Sequence, residues 1–246
     1  MWILNRIYVI DFFKNDLPVI ENKLQVHKIK NVLRLKKEDQ LEVFDQYSNI
    51  FITEIDKIND SKISLKILKK NVAKISKYKI NLAVAFPKGK RGDWIIEKAT
   101  ELGVDSIFIL ETERSIMNAG IGRIKKWQQI AIQAAEQSGR TTIPVIKKTH
   151  IEEIKGIKIA AVISATKRLT KKLNELQIEK KENQITFFVG PEGDWTEQEI
   201  KQIEDLGIMS VSLGPKVLRV ETASIVGVYS LCIWRDNIDT INQTMM

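Results

Sequence analysis

Cysteine, histidine and proline are scarce in this chain, and each scarcity closes off a class of protein. One cysteine cannot make an internal disulfide framework, and with two histidines it supplies too few ligands for a metal cluster. No metal is expected. No apolar run is long enough to cross a bilayer, and the first residues lack the charged-then-apolar pattern of a signal peptide. The expectation is a cytoplasmic protein without a membrane partner. GxxxxGK[ST] is absent, so there is no P-loop. Gly120-x-Gly122 has Lys125 where a third glycine would complete a dinucleotide fingerprint, and no convincing buried strand precedes it. Ser224 lies near Glu221 but has no histidine nearby in sequence and sits on no nucleophile elbow, which argues against triad hydrolysis. Cys232, beside Leu231, Ile233 and Trp234, reads as a core residue.

What remains is an ordinary globular composition with an uneven charge. Hydrophobic residues make up 43% of the chain, enough for a proper core, and 246 residues suit two domains better than one. The net charge of +8 is not spread evenly. Residues 1–72 hold 13 basic against 10 acidic side chains, residues 73–150 hold 14 against 7, and residues 151–246 hold 12 against 14. Basic charge therefore precedes the last third, as suits a polyanion held by one part and chemistry done by another. A lysine-rich composition bias is the plainer explanation of the same excess.

Short alternating segments at Arg6–Ile10, Gln40–Phe44, Ile50–Ile55 and Lys62–Leu68, separated by Asn, Asp and Ser, predict a small antiparallel barrel. His27 to Leu35 reads as a short basic helix or turn. Lys28, Lys30, Arg34, Lys36 and Lys37 either solvate its face or meet phosphate, and His27 is as readily a packed or surface histidine as an RNA contact. The polar, lysine-rich stretch from Lys69 to Tyr78 is placed as the linker. Beyond it, Ile80–Phe86, the basic turn Pro87–Gly92, a helix capped by Asp93 and ending at Gly103, and Asp105–Leu110 form strand, helix and strand. That order implies a parallel pair with a right-handed crossover. Thr112–Ser115 follows at the second strand's C-terminal end. Apolar residues at helical spacing then run from Arg123 to Ser138 before Gly139. Ile157–Ser164 reads as a buried strand followed by Ala165–Arg168, and Lys167–Lys181 as a solvated helix.

The most informative stretch runs from Ile185 to Trp234. Ile185–Val189 is a continuous apolar run, as expected of a strand buried on both faces. Gly190-Pro191-Glu192-Gly193 stops it, and Thr196 with Glu199 makes a capping box for a helix ending at Leu206-Gly207. Met209–Leu213 is the next strand, Gly214-Pro215 a second glycine turn, then comes a basic loop and a long apolar helix. Two Gly-Pro turns after neighbouring strands bring backbone groups together at the strand C-termini, the edge where open α/β sheets usually bind ligands.

GPEGDWTEQE followed by LGPKVLRVETA resembles the cofactor signature of the SPOUT methyltransferases, and most closely that of the ribosomal RNA small-subunit methyltransferase E family. The segments KATELGV (Lys98–Val104), AAEQSGR (Ala134–Arg140) and the His27-x(4)-VLR pattern resemble the same family. Asp194 stands where a glycine is commoner, Glu38-Asp39 replaces the usual Gly-Asp, and Gln46 replaces a glycine. The resemblance implies an α/β fold: a SPOUT-type, trefoil-knotted, mainly parallel sheet over residues 73–246, behind a small PUA-like RNA-binding β-barrel over residues 1–72. It further implies an S-adenosylmethionine-dependent methyltransferase that acts as a homodimer on N3 of a uridine in small-subunit (16S) ribosomal RNA. A catalytically inactive RNA-binding or ribosome-assembly factor with the same fold is the alternative.

On this reading the cofactor is held by Ser164, Ala165 and Thr166, by Val189, Gly190, Pro191, Glu192 and Gly193, and by Leu213, Gly214, Val217, Leu218 and Thr222. Gly190 is expected to let the backbone approach the cofactor, so that replacing it removes binding and spares the fold. Arg219 is the candidate catalytic residue, stabilising charge on the uridine or a neighbouring phosphate. Glu221 is a candidate proton acceptor, with N-cap of the last helix as its alternative. Lys28, Lys30, Arg34, Lys88, Lys90, Arg91, Arg114 and Arg140 are the candidate RNA contacts, with structural ion pairing open for Arg114 and Arg140. Leu231, Ile233 and Trp234 are expected to give the last helix a second face to bury in a dimer.

Overall fold

The computed structural model describes residues 4–14, 17–73, 75–114, 119–176 and 182–244. They divide into two compact units, Met1–Ile75 with Ala135–Ile143, and Ser76–Ala134 with Pro144–Met246. Among the described residues no helix is long and apolar enough to cross a membrane.

The first unit begins with strands β1 (Asn5–Val9), β2 (Phe13–Lys14) and β3 (Leu17–Ile20). Helix α1 (Lys23–His27), capped by the Asn22 side chain, runs into one π-helical turn at Lys28–Val32. Strands β4 (Gln40–Asp45), β5 (Asn49–Ile58) and β6 (Ile63–Val72) complete one sheet in the order β1-β4-β5-β6-β3-β2. Its two edges, β1 and β2, are joined directly in the chain. A flat six-stranded sheet would hold them about 24 Å apart, whereas the chain from Val9 to Phe13 reaches at most about 14 Å. The sheet must therefore curl. Inward residues alternate along the strands, with Ile7, Val9, Leu41, Val43, Phe51 and Ile55 all buried.

Three expectations change in this unit. The barrel is mixed, because β1 pairs in parallel with β4; the intervening hairpin and helix supply the long crossover that parallel pairing needs. β2 and β3 escaped the pattern reading because one is two exposed residues long and the other contains Pro18. Lys69–Val72, read as the start of the linker, pair with Asn49–Ile52 as the end of β6. Ala135–Ile143 belongs to this unit through Glu136, which is buried, accepts a hydrogen bond from the Tyr8 N–H at 3.0 Å and pairs with Lys28 at 2.5 Å.

The second unit contains β7 (Lys79–Val84), α2 (Lys90–Leu102), β8 (Ser106–Ile109), most of α3 (Ile121–Ser138), β9 (Val145–Lys148) and β10 (Ile157–Ala161). It continues through α4 (Leu169–Glu175), β11 (Gln184–Val189), α5 (Glu197–Asp205), β12 (Met209–Val211) and α6 (Val220–Thr244). The sheet order is β12-β10-β11-β7-β8-β9, with every pair parallel. Ile185–Val189 is buried throughout, which explains its continuous apolar run. β9 was not anticipated, since only Ile146 of its four residues is buried.

Gly89, not Asp93, occupies the N-cap of α2. Asp93 lies in the first turn and accepts from Trp127 Nε1 at 2.9 Å, while Lys126 and Arg123 pair with it. α4 is shorter than the expected Lys167–Lys181 helix, because only Leu169 and Leu173 face the core. Residues 177–181 of that expected helix lie outside the described residues, as does Ser115 of the Thr112–Ser115 segment. The Thr196–Glu199 capping box of α5 is present in full. α6 lies close against β11 because Gly227 faces the Phe187 ring with no room for a Cβ.

Candidate cofactor-binding site

β12, β10 and β11 are adjacent, and their register sets Val211, Ala161 and Val189 level with one another. Three strands thus end on one line, and the chain leaves each by a turn. Beyond that line opens a cleft of about 750 Å³, within the usual range for small-molecule sites. One wall is Val189 to Glu192 with Asp194, the floor is Ala161 to Ile163 with Ala165, and the other wall is Ser212 to Val220. Ala223, one turn into α6, lines the cleft as well.

The first wall is held from behind. Asp194 N–H donates to the Pro191 carbonyl at 3.0 Å, which folds Pro191–Asp194 into a tight turn. Asp194 sits at φ 61°, a left-handed conformation where glycine is at ease and aspartate is among the better tolerated alternatives. That explains the residue commonly found here. Trp195, 5% exposed, donates its indole N–H to the Ala161 carbonyl at 2.9 Å and so ties the first wall to the floor. A Cβ at Gly190 would lie 2.8 Å from the Trp195 ring. Glycine is needed there for packing within the protein, and the expectation that its replacement would spare the fold is corrected. Arg114 donates to the Gly193 carbonyl at 2.5 Å, and the Glu113 N–H reaches the buried Glu199 carboxylate at 2.9 Å.

The other wall turns at Gly214, whose φ of 144° would strain any residue with a Cβ. The Ser212 hydroxyl accepts from the Gly214 N–H and donates to its carbonyl. Arg219 is the last residue before α6, and its carbonyl accepts the Ala223 N–H at 2.8 Å. Glu221 lies inside the first turn, so it is not the N-cap. The Arg219 side chain is exposed and has no ion pair or hydrogen bond among the described residues, so it is not spent on Glu221. Glu221 Oε2 is buried and lacks a hydrogen-bond partner.

Of the residues anticipated for the cofactor, Ala165, Val189, Gly190, Pro191, Glu192, Leu213, Gly214, Val217 and Leu218 line the cleft. Ser164, Thr166, Gly193 and Thr222 are exposed and do not. Arg219 lines it and Glu221 does not. Of the RNA candidates, Arg91 lines the cleft and pairs with Glu192. Lys28 is engaged by Glu136, Lys30 by Asp60, and Arg140 by the Thr142 carbonyl and hydroxyl. Arg34, Lys88 and Lys90 are exposed and outside every ion pair among the described residues. Sequence reasoning missed Ala161, Val162, Ile163, Asp194, Ser212, Pro215, Lys216, Val220 and Ala223. The adjacency of β10 to β11 and β12, which brings the first three in, has no local sequence signal.

The cleft suits S-adenosylmethionine on its own donor set. Small and aliphatic walls (Ala161, Val162, Leu213, Leu218, Val220) fit a flat purine and ribose, turn backbones offer hydrogen bonds, and charged groups sit at the rim.

Comparison with known proteins agrees. Residues 74–231 match the family model of an RNA methyltransferase domain, and residues 25–68 that of an RNA methyltransferase PUA domain. The ribosomal RNA small subunit methyltransferase E of Buchnera aphidicola subsp. Schizaphis graminum is 35% identical, with 93% of this chain and 95% of the relative covered. The Bacillus subtilis protein of the same name is 28% identical over 82% and 84%. A methyltransferase from Legionella pneumophila, solved with the cofactor SAM bound, aligns with a TM-score of 0.82 at 27% identity, covering 94% of this chain and 97% of that one. Ribosomal RNA small subunit methyltransferase E from Neisseria gonorrhoeae, bound to S-adenosyl methionine, gives 0.80 at 28% identity over 93% and 96%. The fold is SPOUT-type, with a PUA-like N-terminal domain. With the glycine turns, the level strand ends and both domain models in agreement, the chain belongs to the ribosomal RNA small subunit methyltransferase E family.

Proposed function

We propose that this protein is an S-adenosylmethionine-dependent methyltransferase acting on N3 of a uridine in small-subunit (16S) ribosomal RNA. The observation that carries the reading is the cleft at the level ends of β10, β11 and β12, walled by two glycine turns. Family membership supports it, as do the two similar structures that hold the cofactor.

S-adenosylmethionine, when bound, supplies the electrophilic methyl group. The protein's share is to hold donor and acceptor in line, which can contribute several kcal/mol to lowering the barrier. Val189–Gly190, Leu213–Gly214 and Leu218 hold the adenosine by backbone groups and apolar contact. Uridine N3 must lose a proton, and O2 and O4 gain negative charge as it leaves. Arg219 stabilises that charge, or the adjoining phosphate; its freedom from internal partners supports the role. Glu221, two residues after Arg219, is the proposed proton acceptor by its position in the first turn of α6; its side chain does not line the cleft and its Oε2 is buried.

Residues 1–72 form the RNA-holding domain and 73–246 the catalytic domain, with the trefoil-knotted path of the SPOUT family. Arg34, Lys88 and Lys90 contact RNA phosphate. Lys28, Lys30 and Arg140 hold the protein's own structure in the absence of RNA. The enzyme works as a cytoplasmic homodimer. Support for the dimer comes from α6, where Val226, Tyr229 and Ile233 are 37%, 53% and 42% exposed at helical spacing on one face. Leu231 is buried and Trp234 donates to the Leu173 carbonyl, so of the three residues expected to face a partner only Ile233 is exposed. The test is transfer of a labelled methyl group from S-adenosylmethionine to small-subunit ribosomal RNA by the purified protein. Absence of both transfer and cofactor binding would end the proposal.

A further inference from the structure

Five charged residues line the cleft: Arg91, Glu192, Asp194, Lys216 and Arg219. Arg91 and Glu192 pair with each other. Lys216 and Arg219 stand on the 212–220 wall with no ion pair among the described residues. On the opposite wall Asp194 is half-buried, and its carboxylate has neither an ion pair nor a side-chain hydrogen bond among the described residues. The cleft therefore carries one uncompensated anion on the turn that follows β11 and uncompensated cations on the loop that follows β12, on the other side of β10.

Asp194 also costs the fold something. It holds a left-handed backbone at φ 61°, where glycine would be free of strain. A carboxylate kept at a strained turn, on a cleft wall and without an internal partner, points to a ligand of opposite charge. S-adenosylmethionine has such a pole: its methionine end carries two positive centres, sulfonium and ammonium, against one carboxylate, whereas its adenosine end is neutral.

We propose that Asp194 is the cleft's electrostatic contact for the cationic methionine end of the cofactor, a determinant of cofactor affinity that this chain has in place of the commoner glycine. This rests on the reading of the cleft as a cofactor site. It orients the ligand: the methionine end lies toward the 190–194 turn, and Lys216 and Arg219 are left for RNA oxygens. A partly exposed contact between a carboxylate and a cation in such a cleft is worth on the order of tenfold in affinity, or ~1.4 kcal/mol.

Calorimetric titration of the full-length protein with S-adenosylmethionine and with 5′-methylthioadenosine tests this. The second ligand keeps the adenosine end and lacks the charged one. Asp194→Asn removes the charge and keeps the size and tolerance of left-handed backbone. Asp194→Gly removes the charge and the strain together. Both variants should lose about tenfold in affinity for S-adenosylmethionine and keep that for methylthioadenosine, while Asp194→Gly melts no lower than wild type. Equal losses for both ligands, or no loss, would overturn the assignment while leaving the cleft a cofactor site. A wild-type protein that binds neither ligand would overturn the cofactor reading itself, and this inference with it.

Discussion

Gly190→Ala isolates what the first glycine turn does. The added Cβ would sit 2.8, 2.9 and 3.0 Å from Cε2, Nε1 and Cδ2 of Trp195. Real Cβ atoms do not stay so close to ring atoms, so the indole or the turn must move. The indole has little freedom, since it is packed with Ala83, Leu110, Val162, Phe188, Ile203 and Ile208 and bonded to the Ala161 carbonyl. Overpacking of this kind costs ~1–3 kcal/mol, and loss of the indole hydrogen bond adds ~1 kcal/mol. At ~2–4 °C per kcal/mol for a chain of this size, a cost of about 3 kcal/mol lowers Tm by roughly 6–12 °C. Ala161 lines the cleft, so cofactor affinity should fall with stability. Trp195→Phe removes the atoms nearest the new Cβ. Combined with Gly190→Ala it should cost less than the two single changes together, by ~1 kcal/mol or more. Differential scanning fluorimetry and calorimetric titration on the four proteins measure both quantities. If Gly190→Ala kept the wild-type Tm while losing the cofactor, the packing argument would be refuted and close ligand approach would be the reason for the glycine.

Arg219→Ala should lower methyl transfer by about 10²–10³, as loss of one transition-state donor does, with little change in cofactor affinity or Tm; Arg219→Lys should recover part of it, because an ammonium lacks the planar fork. Wild-type turnover in the alanine variant would remove Arg219 from the chemistry. Tyr229→Glu, in the middle of the exposed α6 stripe, should yield monomers in sedimentation at micromolar concentration, while a wild type that sediments only as monomer would remove the dimer. Burial opposes ionisation of Asp93, yet hydrogen bonds from Lys126 and Trp127 and the nearby charge of Arg123 hold its carboxyl below the ordinary aspartate range. With a folded-state pKa below the unfolded value of about 3.9, Asp93 contributes its full stability above that pH and loses it as pH falls through the folded value. Asp93→Asn should therefore lower Tm at neutral pH and narrow the gap to wild type in acid; a gap independent of pH would contradict the linkage.

Much of the catalytic half was legible because its signals are local. Ile185–Val189 is apolar without interruption since β11 is buried on both faces, and Thr196 with Glu199 marks a helix start wherever it occurs. Gly190 and Gly214 mark turns by composition, although the reason for Gly190 is a tryptophan five residues on, which no spacing rule reveals. The barrel was harder to read. β3 hides behind Pro18, and the parallel pairing of β1 with β4 depends on a crossover that leaves no alternation of its own. Lys28 and Lys30 resemble a phosphate patch in one dimension, and only folding brings Glu136 and Asp60 to them. Asp194 was visible as a departure from glycine, but its meaning needed two facts absent from the string: a left-handed backbone and a cleft across from unpaired cations.

The central claim, methyl transfer to uridine N3, is tested most directly by nucleoside mass spectrometry. Small-subunit ribosomal RNA lacking the modification is incubated with the purified protein and S-adenosylmethionine, then digested and resolved. The account predicts that N3-methyluridine appears in the wild-type reaction and falls by about 10²–10³ in rate with Arg219→Ala. Methylation at another atom, or none while the cofactor binds, would contradict it.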